Sequence, residues 1–175
     1  MSATSISEAP LGDGPALRDA AQAFAVAAIE GAVESKPWTA LLEISKAAGE
    51  RAGEELSERH REDLELAART ERGRIEREHA ERVKRVVRRR AVRTLDLGLA
   101  LVELWYRDAA MIVEGAPELI HARDRADELA ATAAGRSPRT LHRALELVAD
   151  TRERLALNVT EELALEALAY RLAAL

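Results

Sequence analysis

The sequence predicts an all-α fold: a helical bundle of about five to six helices with a long charged helical arm. Three observations predict it. The 175 residues are rich in Ala, Leu, Glu and Arg, which favour helices. Aromatic residues make up only 3% and there are five prolines. Apolar residues recur at spacings of three and four over long stretches, the period of one helix face. The length suits a single domain with a real core, or a smaller one joined to an arm.

Residues 1–15, "MSATSISEAPLGDGP", hold too little apolar material to offset the entropy of ordering and read as a flexible tail. Helical spacing starts near Ala16, runs through Phe24, Val26 and Ile29, and ends near Glu34, before Lys36-Pro37. Pro37 suits the first turn of a second helix carrying Trp38, Leu41, Leu42 and Ile44. From Pro37 to Ala116 no proline intervenes, so one or two very long helices follow. Gly49 and Gly53, in "KAAGERAGEE", mark the weakest stretch and predict a break or kink. Residues 54–81 are charged with mixed sign around a thin seam of Leu64, Ala68 and Ile75, the pattern of an exposed or two-stranded arm. Residues 16–94 thus form an N-terminal helix and arm, and 95–175 a helical domain.

In that domain Leu95, Leu99, Val102, Trp105, Ala109 and Ile112 form a core stripe. Gly115 stops the helix, Pro117 restarts it, and "PELIHARDRADELAATAA" makes one or two short segments up to Gly135. Ser137-Pro138 reads as an N-cap with a first-turn proline, opening a helix with Leu141, Leu145, Val148 and Leu155 on one side. Asn158 or Thr160 caps a last helix that buries Leu165, Leu168 and Leu172, with Leu175 at its end. Each such Leu contributes roughly 1.5–3 kcal/mol when fully buried.

The net charge of −5 gives no global reason to bind DNA or an anionic membrane, so such binding needs a local patch. "RVKRVVRRRAVR", residues 82–93, is that patch, with seven basic residues and no acidic one. At about 100° per residue, Val83, Val86, Val87 and Ala91 share one side; Arg82, Lys84, Arg85, Arg88, Arg89 and Arg93 take the other, and Arg90 points into the apolar stripe. Glu78 with Arg82 and Glu81 with Arg85 are i, i+4 pairs that neutralise its start. Arg88, Arg89, Arg90 and Arg93 remain as a positive patch. With no aromatic residue interleaved for base stacking, a solvated face or an acidic protein partner suits it better than nucleic acid.

Chemistry is sparse. There is no cysteine, which removes disulfides, thiolate metal sites and cysteine nucleophiles. No phosphate-binding glycine loop, G-x-S-x-G or H-E-x-x-H is present. Glu-x-x-His, the spacing of di-iron bundles, occurs at Glu76/His79 and Glu118/His121. The first lies among Arg72, Arg74, Arg77 and Arg82, which oppose a dication, and the second opens a helix after a proline. The expectation is no catalytic residue, metal or cofactor. "LDLGLALVELW" is too short and too closely flanked by charge to span a bilayer, and without a secretory signal the chain reads as soluble and cytoplasmic.

Residues 95–175 carry a further pattern: Trp105-x-Arg107-Asp108 within a long helix, E-L-I-x-x-x-D ending at Asp124, and a closing helix pair with Thr151-Arg152, Asn158-Val159 and Leu163 to Leu172. This resembles the C-terminal collar domain of the delta-prime subunit of bacterial DNA polymerase III. The family usually has Asn where this chain has His121. The resemblance implies a non-catalytic oligomerisation domain that assembles with the delta and gamma/tau subunits of the clamp loader, and meets DNA only indirectly. It also implies that the ATP-binding AAA+ modules preceding a collar are missing here, as in an excised fragment or a reduced relative. The alternative from the residues alone is a helical DNA-binding protein using residues 82–93.

Overall fold

The computed structural model describes residues 14–66, 72–157 and 159–175. Among them there is no strand, and the architecture is an all-α bundle. Six α-helices follow in order: α1 Gly14–Ile29, α2 Thr39–Leu66, α3 Arg72–Val113, α4 Ala126–Ala133, α5 Pro138–Leu155 and α6 Glu161–Ala173. Short 3₁₀ turns at Val33–Ser35, Pro117–Leu119 and Arg123–Arg125 punctuate the connections.

The 42-residue α3 is the axis of the molecule, about 63 Å long at 1.5 Å per residue. Its first half pairs with α2 as a hairpin, and its second half is surrounded by α1, α4 and α5, with α6 closing over α1 and α5. Leu95, Leu99, Val102, Trp105 and Ala109 are all buried on α3, as their spacing requires, while Ile112 is half-buried. They join Leu141 and Val148 of α5 and Leu165, Leu168 and Leu172 of α6 in one cluster. Leu175 falls outside it, 44% exposed, because α6 has already ended.

Helix α1, grouped by sequence with the arm, packs into this same core. Ala20, Ala21, Phe24, Ala25 and Ala28 make a flat face that lets α3 and α6 approach closely. The Tyr106 hydroxyl donates to the Ala25 carbonyl at 2.7 Å, and burial pushes its phenol far above the ordinary value. The helix starts at Gly14, so Gly14 and Pro15 are helical where a tail is expected through residue 15; residues 1–13 lie outside the described ones.

The punctuation agrees with the sequence in two places. Gly115 ends α3 with φ +81°, a conformation that L side chains resist. The Ser137 hydroxyl accepts the Thr140 backbone N–H at 3.1 Å, as an N-cap should. Thr160 sits at the N-cap of α6 without a side-chain hydrogen bond, and Asn158 lies outside the described residues.

The expected break at Gly49 and Gly53 is absent: α2 runs through both. A Cβ at Gly49 would come 2.6 Å from the Val87 carbonyl oxygen, and one at Gly53 would come 2.6 Å from Val87 Cγ2. These glycines therefore let two helices touch, which a reading of helix propensity alone cannot distinguish from weakness. Val83, Val87 and Ala91 supply the opposing ridge, an i, i+4 row. That row drifts about 40° per step around the helix, leaving Arg90 behind. Arg90 is exposed, not directed into the stripe. Within the seam of the arm Ile75 is half-buried; Ala68 and the side chain of Leu64 lie outside the described ones.

Candidate interaction surfaces

Three features gather polar or exposed residues, two of them around residues that the sequence singles out. The first is a buried polar knot. Asp108 has no solvent exposure, and its Oδ2 accepts the backbone N–H groups of His121 at 2.7 Å and Ala122 at 2.9 Å. Its Oδ1 accepts from Arg107 at 2.8 Å, and Arg107 also donates to the Leu119 carbonyl at 3.3 Å. A carboxylate here ties the C-terminal turns of α3 to the segment between the 3₁₀ turns, whose backbone donors lie in no helix. Arg107 and Asp108 are thus structural, while Glu103, one turn earlier on α3, is engaged by Arg152 at 2.6 Å. Beside the knot, the Trp105 indole N–H donates to the Thr132 hydroxyl at 3.2 Å. Asp124 takes a bidentate pair from Arg18 of α1, and that guanidinium holds its carboxyl below the usual range. Arg125 reaches back to Asp19 and Gln22 of the same helix.

The second feature is a groove of about 590 Å³ between α3 and the α5–α6 corner. Its apolar floor is Val92, Leu95, Leu155 and Ala156. Arg85, Arg88, Arg89 and Arg93 rim it from α3. On the far side Arg152 is held by Asp96 at 2.8 Å and Glu103, contacts that raise its pKa further, and Glu161 opens α6. Three of the four arginines singled out from sequence therefore meet at one groove; Arg90 does not.

The third feature was not anticipated. Helix α6 buries Leu165, Leu168, Ala169 and Leu172, yet its opposite side exposes Leu163 (60%) and Tyr170 (49%), with Ala167 and Ala174 between and beyond them. The spacing 163, 167, 170, 174 is a second apolar stripe. The signal was present in the sequence, masked because the first stripe already accounts for the helix. Leu157 and Val159, before α6, are also exposed.

The Glu-x-x-His pairs do not converge on a metal site: among the described residues no group of three or more ligating side chains is found. Glu76 and Glu118 are both exposed. His79 instead stacks on His60 across the hairpin, ring centroids 3.7 Å apart and 8° from parallel, and neither Nε2 has a hydrogen-bond partner. Burial, then His60 and Arg82, depress the His79 imidazole below its ordinary value. In the basic run, Glu78 pairs with Arg74 at 2.8 Å and Glu81 with Lys84 at 3.0 Å, not with Arg82 and Arg85. Each glutamate has basic residues within a turn on both sides, so the helix offers alternatives of similar energy.

No helix among the described residues is long and apolar enough to cross a membrane. No protein-family model matches this chain, and no curated protein or solved structure shows significant similarity to it.

Proposed function

We propose that this chain is a non-catalytic assembly module, the collar of a delta-prime subunit, which joins delta and gamma/tau subunits in a cytoplasmic clamp loader and meets DNA only through that complex. The observation that supports it most is the double-sided α6. Leu163 and Tyr170 face outward while Leu165, Leu168 and Leu172 face the core. A helix that is apolar on both sides leaves an exposed apolar stripe of the kind that marks protein–protein contact. The Trp105, Arg107 and Asp108 pattern and the closing helix pair supply the family resemblance.

The test is co-elution of the chain with the delta and gamma/tau subunits of its own organism in size-exclusion chromatography. The expected result is a shared peak that is lost in Leu163→Asp/Tyr170→Asp, whose two sites are exposed and outside the core. Failure of the unmodified chain to co-elute would sink the reading.

A further inference from the structure

The groove between α3 and the α5–α6 corner is separate from the outward stripe of α6 and has its own chemistry. Five arginines line it, against Asp96 and Glu161, in a chain whose net charge is −5. Arg152 is held by Asp96 and Glu103, so the carboxylate of Asp96 is already used within the wall. Arg85, Arg88, Arg89 and Arg93 stand on one flank of a floor formed by Val92, Leu95, Leu155 and Ala156. Leu157, which follows Ala156 at the groove's end, is 78% exposed.

An apolar floor beneath a cationic flank is complementary to a helix or extended segment with apolar anchors on one side and carboxylates beside them. Nucleic acid fits less well. A duplex backbone would find the phosphate-binding flank but leave the apolar floor unmatched, and no aromatic ring lines the groove for a base to stack on. The volume of about 590 Å³ accommodates a few side chains, not a whole domain. We propose that this groove docks an acidic amphipathic segment of a partner protein, with Leu-like anchors on the floor and carboxylates against Arg85, Arg88, Arg89 and Arg93.

The experiment uses the isolated full chain and fluorescence anisotropy. The probes are a small panel of labelled peptides with Leu at i, i+3, i+4 and i+7 flanked by Glu, a scrambled peptide of identical composition for each, and a mixed-sequence DNA duplex. At least one patterned peptide should bind at least tenfold more tightly than its scramble and than the duplex. Arg89→Glu/Arg93→Glu and, separately, Ala156→Glu should each weaken it at least tenfold; all three positions are exposed, so the fold is spared. Binding should retain a component that persists at high salt, unlike contact with phosphates alone. Equal binding of patterned and scrambled peptides, binding insensitive to Ala156→Glu, or tighter binding of the duplex would each overturn the proposal. So would failure of every patterned peptide to bind. Because no loader subunit is present, none of these outcomes bears on co-elution with delta or gamma/tau, and loss of co-elution leaves the groove's chemistry untouched.

Discussion

The two halves of α3 live in different environments. From Leu95 onward the helix is wrapped by α1, α4 and α5 and holds fully buried Leu99, Val102 and Tyr106. Before Leu95 it packs against α2, through a narrow ridge of Val83, Val87 and Ala91 against Gly49 and Gly53. The bundle draws its stability from area removed from water and from a satisfied buried carboxylate. The arm relies on close backbone approach and on ion pairs such as Arg74–Glu78 and Lys84–Glu81, whose side chains are more than half exposed. Exposed pairs of that kind contribute about 0–1 kcal/mol each. One continuous helix therefore spans a stable region and a weakly held one, and local opening of the arm need not unfold the bundle.

The largest expected effect tests the bundle. Asp108→Ala leaves the His121 and Ala122 N–H groups without their acceptor and removes the buried anion beside Arg107. Loss of one partner from such a buried network costs about 3–5 kcal/mol, a large share of the roughly 5–15 kcal/mol that holds a domain. Urea unfolding followed by far-UV circular dichroism should show it, and an effect below about 1 kcal/mol would mean the knot contributes little.

A smaller effect tests the arm. Ala is a better helix former than Gly by about 1 kcal/mol, so local propensity alone predicts that Gly49→Ala stabilises. The structure predicts the reverse, because the new Cβ meets the Val87 carbonyl oxygen at 2.6 Å and no rotamer change can relieve a backbone contact. Overpacking of this kind costs about 1–3 kcal/mol, so a net loss of about 1 kcal/mol follows. At Gly53 the obstacle is the Val87 side chain, which can turn, and Gly53→Ala should be near neutral. Amide hydrogen exchange separates the regions: Gly49→Ala should speed exchange near Val83–Ala91 more than near Leu99–Ala109. Uniform acceleration would show that arm and bundle open as one unit.

The same contrast explains what could be read from the sequence. Bundle elements were legible because each is announced locally: a stripe at spacings of three and four from Leu95 to Ala109, a stop at Gly115, a cap at Ser137. The arm's glycines were not, since weakness and close approach look alike until the facing helix is known. Arg107 and Asp108 stood out only as part of a pattern with Trp105; the backbone groups they hold lie 12 to 14 residues away, in a 3₁₀ turn and the irregular backbone after it, beyond any helical spacing rule. The groove was half legible: the helical wheel gathered Arg88, Arg89 and Arg93, whereas Leu155, Ala156 and Glu161 come from elements more than fifty positions later. Arg90 went astray because the ridge of α3 that packs on α2 follows every fourth residue and drifts away from it.

The smallest effect is a pH response confined to the arm. His79 stacks on His60, and among the described residues Ile75, Arg77, Glu78, Glu81, Arg82 and Arg85 of α3 line the pocket beside the pair. Burial, then His60 and Arg82, hold the His79 imidazole below its ordinary value, so the closed hairpin favours the neutral ring. When the hairpin opens, His79 regains an ordinary value near 6.5. Above that pH neither state takes up a proton and the arm keeps its full stability. As pH falls through about 6.5, the open state binds a proton that the closed state resists, and stability is lost until the lower value of the closed form is passed. After correction for intrinsic rates, exchange near residues 75–82 should therefore accelerate between pH 7.5 and 5.5, while exchange near Leu99–Ala109 stays level. His79→Gln removes the titrating ring and should flatten the response of the arm. An arm that responds equally in both proteins would assign the effect to another group.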